Sequence, residues 1–98
     1  MLKRLFSRKV DEFADELAID FAKRCPVDSP FKSARTAAIA RSIDHVCNRA
    51  AEFNRANRLG LYGKARLGTT FKLKLKDCGY PPEFVDELTQ TLLIRISA

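Results

Sequence analysis

Apolar side chains recur at helical spacing through the first quarter of the chain. The positions are Leu2, Phe6, Val10, Phe13, Leu17 and Phe21. Spacings of three and four residues place them along one side of a helix, which predicts an amphipathic α-helix. We expect this helix to begin near Ser7 or slightly earlier. It should end around Arg24, because Pro26 disfavours helical geometry at Cys25.

A second helical stripe follows a short connection. It is formed by Ile39, Ile43, Val46, Ala50 and Phe53. Ser29 followed by Pro30 is a favourable start, with a serine N-cap and a proline at the first helical position. The second helix is therefore predicted from this point to about Leu59. We interpret Gly60–Gly63 as the tight connection that interrupts it, since glycine adopts positive φ at low cost.

Residues 69–76 support two interpretations. Apolar and lysine residues alternate there, which is typical of a strand, and residues 92–97 are the one segment that could pair with it. However, Phe71, Leu75 and Cys78 also fit a helical spacing. Gly79 follows where a helix C-cap favours glycine, and three lysines lie in the last turns. We favour a helix here.

Pro81 and Pro82 open a last helix, whose apolar positions continue to Ile96. The chain is thus predicted to be all-α, a small four-helix bundle-like domain formed by residues 1–98. The short links lead us to expect largely antiparallel neighbours. The alternative is an α+β fold with a short two-stranded pairing of 69–76 and 92–97.

Composition fits a globular, cytoplasmic domain. The 98 residues are 46% hydrophobic and 31% charged. No apolar run approaches the roughly 20 residues of a membrane span, and no secretory signal follows the basic start. The three cysteines are odd in number and widely spaced, so we expect thiols that pack as small hydrophobic groups. His45 and Cys47 point in different directions on a helix, so no metal site is predicted.

The sequence contains no pattern typical of an enzyme. The one histidine, His45, is expected to lie on the solvated side of the second helix. Acidic pairs such as Asp15 and Glu16 belong to polar helix faces, where solubility explains them better than acid–base chemistry. We therefore predict a non-enzymatic protein, with no cofactor and no small-molecule substrate.

Charge is distributed unevenly along the chain. The net charge is +6, yet residues 11–20 carry five acidic residues, while Lys32 to Asp77 carries eleven basic and three acidic ones. A basic face is predicted on the second helix, leading to the Gly60–Arg66 turn, where Tyr62 could stack on a base. Its residues are Arg41, Arg49, Arg55, Arg58, Lys64 and Arg66. Such a face suits the phosphate backbone of DNA or RNA, unless the acidic first helix covers it.

The last helix carries apolar residues on more than one face. We predict that part of it remains exposed and closes against a protein partner or a second copy of the chain. The proposed contact residues are Val85, Leu88, Leu92, Leu93 and Ile96. A self-associating protein–protein interaction module is thus the favoured function, with nucleic-acid binding as the alternative.

Overall fold

A computed structural model describes residues 2–26 and 33–97, in four helices. They are α1 (Leu2–Arg24), α2 (Ser33–Asn57), α3 (Gly60–Asp77) and α4 (Pro82–Ser97). The all-α prediction is confirmed. The alternative pairing is wrong, because residues 69–76 lie in α3 and 92–97 in α4. The predicted helix start at Ser29–Pro30 falls outside the described residues.

The helical interpretation of residues 69–76 holds because a helical period buries the large side chains. Leu67, Phe71 and Leu75 are fully buried, while Leu73 is exposed. A strand would have placed Phe71, Leu73 and Leu75 on the same face. The four-residue spacing of the buried side chains therefore determines that this segment is helical, despite the local alternation of leucine and lysine.

The helices are not all antiparallel to their neighbours. The most extensive contact joins α1 to α3, and these two run parallel. Ser7 lies 3.2 Å from the Tyr62 hydroxyl near their first turns, and the Tyr80 hydroxyl donates to the carbonyl of Cys25 beyond their last turns. Contacts of α2 with α1, and of α4 with α3, follow the antiparallel expectation. The parallel α1–α3 contact departs from it.

The core follows the predicted apolar stripes. Fully buried side chains come from all four helices: Val10, Leu17, Phe21, Val46, Leu67, Phe71, Leu75, Val85 and Leu92. Cys25 and Cys47 are buried and Cys78 half-buried, which confirms that these cysteines pack as small apolar residues. Burial raises the pKa of the Cys47 thiol, so this side chain is suited to packing rather than to reaction as a thiolate.

The Gly60–Arg66 segment is not a turn, and this prediction is wrong. Within this segment only Gly60 has a positive φ, at 64°, and α3 begins at this residue. Gly63 is buried within the helix, where an added Cβ would lie 2.8 Å from the Leu59 Cβ and 3.0 Å from the Phe6 ring. Glycine is needed at this position for close packing of α1 on α3.

The end of α3 is the glycine cap that the sequence predicts. Gly79 has a φ of 98°. Its amide donates to the carbonyl of Lys76, and the Tyr80 amide donates to that of Leu75. These two bonds form a Schellman motif, which satisfies carbonyls at the helix end. Within the described residues, none of the helices is long and apolar enough to cross a membrane.

Candidate protein interface

The outer side of α3 carries a row of exposed uncharged side chains. We call this row the α3 surface: Leu61, Tyr62, Ala65, Thr69 and Leu73. Leu61 is 89% exposed, Tyr62 59% and Leu73 57%. Large apolar side chains are more often buried than exposed. Three exposed ones on the same helix therefore form a surface suited to a partner.

The spacing of this row gives it the shape of a helix-packing ridge. Leu61, Ala65, Thr69 and Leu73 are each four residues apart, which is the row that interlocks when two helices cross. Leucines occupy both ends and small residues the middle. A second helix can approach closely over Ala65 and Thr69 while the leucines pack along its sides.

Two shallow grooves border the ridge and share Tyr62 and Arg66. One, of about 400 Å³, is lined by Tyr62, Ala65, Arg66, Thr69, Thr70 and Leu73. The other, of about 480 Å³, lies between α1 and α3, with Ser7, Asp11 and Asp15 among its lining residues. The α3 surface is thus continuous with the exposed side of α1.

Tyr62 is held in place although it is exposed. Its hydroxyl lies 3.2 Å from Ser7 Oγ and accepts from Arg66 Nη1 at 3.4 Å. These two hydrogen bonds lower the pKa of Tyr62. A fixed aromatic ring loses little conformational freedom on binding, which suits a contact residue.

Asp11 fixes the edge of the α3 surface that lies against α1. Its carboxylate accepts two bonds from Arg66, from Nε at 2.9 Å and Nη2 at 2.8 Å, and a third from Thr70 Oγ1 at 3.0 Å. The Arg66 hydrogen bonds lower the pKa of Asp11; burial opposes them, and Thr70 adds to them. The bidentate pair fastens α1 to α3 beside the ridge.

A second carboxylate, Asp20, binds the basic side of α2. Its oxygens lie 2.8 Å from His45 Nε2, 2.9 Å from Arg49 Nη1 and 3.0 Å from Arg24 Nε. Burial raises the pKa of Asp20, but the hydrogen bonds from Arg49, Arg24 and His45 together outweigh it and the pKa is lowered. His45 is consequently half-buried against α1 rather than solvated.

The predicted basic face is therefore divided. Arg49 and Arg66 are bound by the two aspartates of α1. Arg41, Arg55 and Arg58 are exposed, and Lys64 is half-buried. Asp44 and Glu52 are exposed on the same helix as Arg41 and Arg55. The acidic side of α1 thus engages two of the six cations, and the others do not form an unbroken positive stripe.

The predicted contact residues of α4 lie mostly in the core. Val85, Leu88, Leu92 and Ile96 are buried and Leu93 is half-buried. The prediction of an exposed surface at these four buried positions is wrong, because α4 uses them to pack on α2 and α3. Leu93 lies over Gly68 at the contact with α3. Ile94, which is 63% exposed, is the apolar residue that α4 leaves in solvent.

Sequence reasoning missed the α3 surface. Its signal was present as the four-residue spacing of Leu61, Ala65, Thr69 and Leu73. Leu61 lies in the segment interpreted as a tight connection, and Thr69 and Leu73 lie in the segment that supports two interpretations. Within the described residues, no group of three or more histidine, cysteine or acidic side chains could hold a metal ion. Comparisons with family models, curated proteins and solved structures found no match to this chain.

Acid should destabilise the fold through Asp11 and Asp20. Both pKa values are lowered in the folded chain, so their stabilisation is present above the ordinary value of 3.8 and is lost as pH falls through the folded pKa values. In Asp11→Asn we expect a loss of about 1 kcal/mol at neutral pH, limited by partial exposure of the pair, and a shallower decline below pH 4. Urea unfolding measured at several pH values tests this.

The matched control is Glu87→Gln, which removes an exposed carboxylate from α4. Its unfolding free energy at neutral pH should stay within about 0.5 kcal/mol of that of the parent chain. Equal acid profiles for Asp11→Asn and the parent would contradict the role given to the Asp11–Arg66 pair.

Proposed function

We propose that this protein is a non-enzymatic self-association module whose copies meet through the α3 surface. The observation that supports it is the exposed ridge of α3, where two leucines and a tyrosine remain in solvent. Ridges with four-residue spacing pack well against ridges of the same kind. A surface that fits another copy of itself is what a two-fold symmetric dimer requires.

The ionisable side chains outside the α3 surface are consistent with a structural role. Asp11 pairs with Arg66, and Asp20 pairs with Arg49 and His45, which holds α1 against α3 and α2. The Cys47 thiol is buried, and the pKa of Tyr80 is raised to about 12, chiefly by burial. These groups stabilise the fold that presents the α3 surface.

Sedimentation equilibrium from micromolar to near-millimolar chain concentration tests the proposal. We expect the average mass to rise from one chain toward two. Each copy carries a net charge of +6, so added salt should maintain or strengthen the association by screening like charges. A mass of one chain at all concentrations and salt conditions would refute the proposal.

Nucleic-acid binding is a second candidate, favoured by the exposure of Arg41, Arg55 and Arg58. It should respond to salt in the opposite direction, because phosphate binding releases counterions. Titration of generic duplex DNA and RNA at low and raised salt separates the two functions. Loss of binding in an Arg55→Ala, Arg58→Ala double variant would support this candidate. Absence of binding at low salt would exclude it.

A further inference from the structure

One end of the bundle is formed by segments of all four helices. The Ser7 hydroxyl lies 3.2 Å from that of Tyr62, which places the first turns of α1 and α3 together. The Asn54 side-chain amide donates to the carbonyl of Ile96, and its oxygen accepts from the Leu59 amide. These two hydrogen bonds bring the last turns of α2 and α4 to the start of α3.

We call residues 5–9, 54–64 and 94–97 together the basic end, because all of their charged side chains are positive. These side chains are Arg8, Lys9, Arg55, Arg58, Lys64 and Arg95. Arg8 pairs with Glu12 and Arg95 with Asp44, which are carboxylates outside these segments. The other four cations form no ion pair with any of the described residues. The basic end thus carries positive charge that the described part of the fold does not neutralise.

Exposed apolar side chains are concentrated at the same end. Six large apolar side chains are exposed within the described residues, and four of them belong to the basic end: Leu5, Leu61, Tyr62 and Ile94. Leu61 is 89% exposed and Leu5 67%. Lys64 is three residues after Leu61 in α3, and Lys9 is four residues after Leu5 in α1, so each lysine lies on the same side of its helix as a leucine. Apolar and cationic side chains are therefore interleaved here.

We infer that the basic end docks on the surface of an anionic lipid bilayer, which is a function separate from the proposed self-association. Leu5 and Leu61 enter the boundary between headgroups and acyl chains, and the Tyr62 ring lies at headgroup level, where tyrosine is enriched. Lys9 and Arg58 meet the anionic headgroups. Interfacial binding of this kind combines the burial of apolar area with attraction to anionic lipids.

The exposed leucines favour a lipid surface over a nucleic acid. The phosphate backbone of DNA or RNA attracts cations in the same way, but it offers a leucine side chain no apolar region to enter. In a bilayer each leucine leaves water, and the hydrophobic effect favours this transfer. The lipid surface therefore accounts for both features of the basic end, whereas a nucleic acid accounts for one.

Flotation with phosphatidylcholine vesicles, with and without phosphatidylserine, tests the docking. We expect the parent chain to bind the vesicles that contain phosphatidylserine and to be released by raised salt. The Lys9→Gln, Arg58→Gln double variant should bind roughly 30-fold more weakly, since each cation near an anionic surface contributes about five-fold.

The matched control is the Lys23→Gln, Lys76→Gln double variant. It removes the same charge from the last turns of α1 and α3, at the other end of the bundle. It should bind nearly as well as the parent chain. Equal weakening of both double variants would show attraction by net charge alone and overturn the docking of the basic end. Equal binding of the parent chain to both kinds of vesicle, or to neither, would also overturn it.

Tryptophan fluorescence tests which part of the chain enters the bilayer. The sequence contains no tryptophan, so Leu61→Trp introduces a single reporter at the basic end. Leu73→Trp is its control on the same helix, twelve residues or roughly 18 Å away. With anionic vesicles we expect a blue shift of the emission from position 61 and none from position 73.

The outcomes of the fluorescence test are independent of self-association when the chain is studied at a concentration where sedimentation gives the mass of one chain. A blue shift from both positions would place the side of α3 on the bilayer, and no shift from either would exclude insertion; each result overturns the docked arrangement. A blue shift from position 61 with generic duplex RNA but not with vesicles would assign the basic end to a nucleic acid instead. Failure of the chain to dimerise would refute the proposed function and leave the vesicle results unaffected.

Discussion

Leu73→Glu is expected to yield a folded chain that stays monomeric at concentrations where the parent chain is dimeric. Leu73 is 57% exposed, so the substitution costs the isolated domain little. In the proposed dimer the same side chain is buried where the two α3 surfaces meet. The new carboxylate would lie in an apolar contact without a partner, which costs several kcal/mol.

The effect on affinity should be large because two-fold symmetry places the substitution in the interface twice. We expect dimerisation to weaken at least about 100-fold, since each 1.4 kcal/mol is a factor of ten. Sedimentation equilibrium measures the change, and circular dichroism confirms that the helices are retained.

Ile94→Glu is the matched control. Ile94 is 63% exposed on α4, and its substitution changes the net charge by the same amount as Leu73→Glu. It should dimerise like the parent chain. Equal weakening by both substitutions would indicate an interface that extends over α4 or a general charge effect, and an undiminished Leu73→Glu dimer would exclude the α3 surface.

Local patterns predicted the helices well because each helix buries a stripe that is visible in the sequence. The end of α1 at Arg24 followed from Pro26, and the end of α3 followed from Gly79. Gly63 shows where local reasoning fails. Its role depends on close contacts with the Leu59 side chain and with the Phe6 ring of another helix. A glycine needed for close packing has the same sequence signal as one needed for a turn.

The candidate site was harder to predict because exposure depends on how helices pack. In the sequence, the apolar end of α4 is typical of a binding surface, yet Leu92 and Ile96 are buried by neighbouring helices. The α3 surface looks unremarkable by hydrophobicity, since Ala65 and Thr69 interrupt its leucines. It is a candidate site only because none of the described residues covers Leu61 and Leu73.

Ion pairs between helices were also hard to predict from the sequence. The sequence indicated an acidic first helix and a basic middle, but not which pairs would meet. The register of α1 against α2 and α3 brings Asp20 to Arg49 and Asp11 to Arg66. Pairing across helices requires that register, which no single helix encodes. The basic face predicted on α2 and the Gly60–Arg66 segment therefore includes two cations, Arg49 and Arg66, that stabilise the fold.

Phe21→Ala should cause the largest loss of stability of the substitutions considered. The Phe21 ring is fully buried, and its centroid lies 5.6 Å from that of Tyr80 and 5.9 Å from that of Phe84. This cluster fastens the end of α1 to the connection between α3 and α4. Removing a buried phenyl ring costs roughly 3–5 kcal/mol, a large part of the about 5–15 kcal/mol that stabilises a typical domain.

Urea unfolding at one fixed chain concentration measures this loss, because self-association would otherwise change the midpoint. Ile94→Ala, a truncation on the exposed side of α4, should stay within about 0.5 kcal/mol of the parent. Tyr80→Phe keeps the ring but removes the hydroxyl that donates to the Cys25 carbonyl, and should cost about 1–2 kcal/mol. If Phe21→Ala cost no more than Tyr80→Phe, the hydrogen bond rather than the aromatic packing would hold α1 in register with α3.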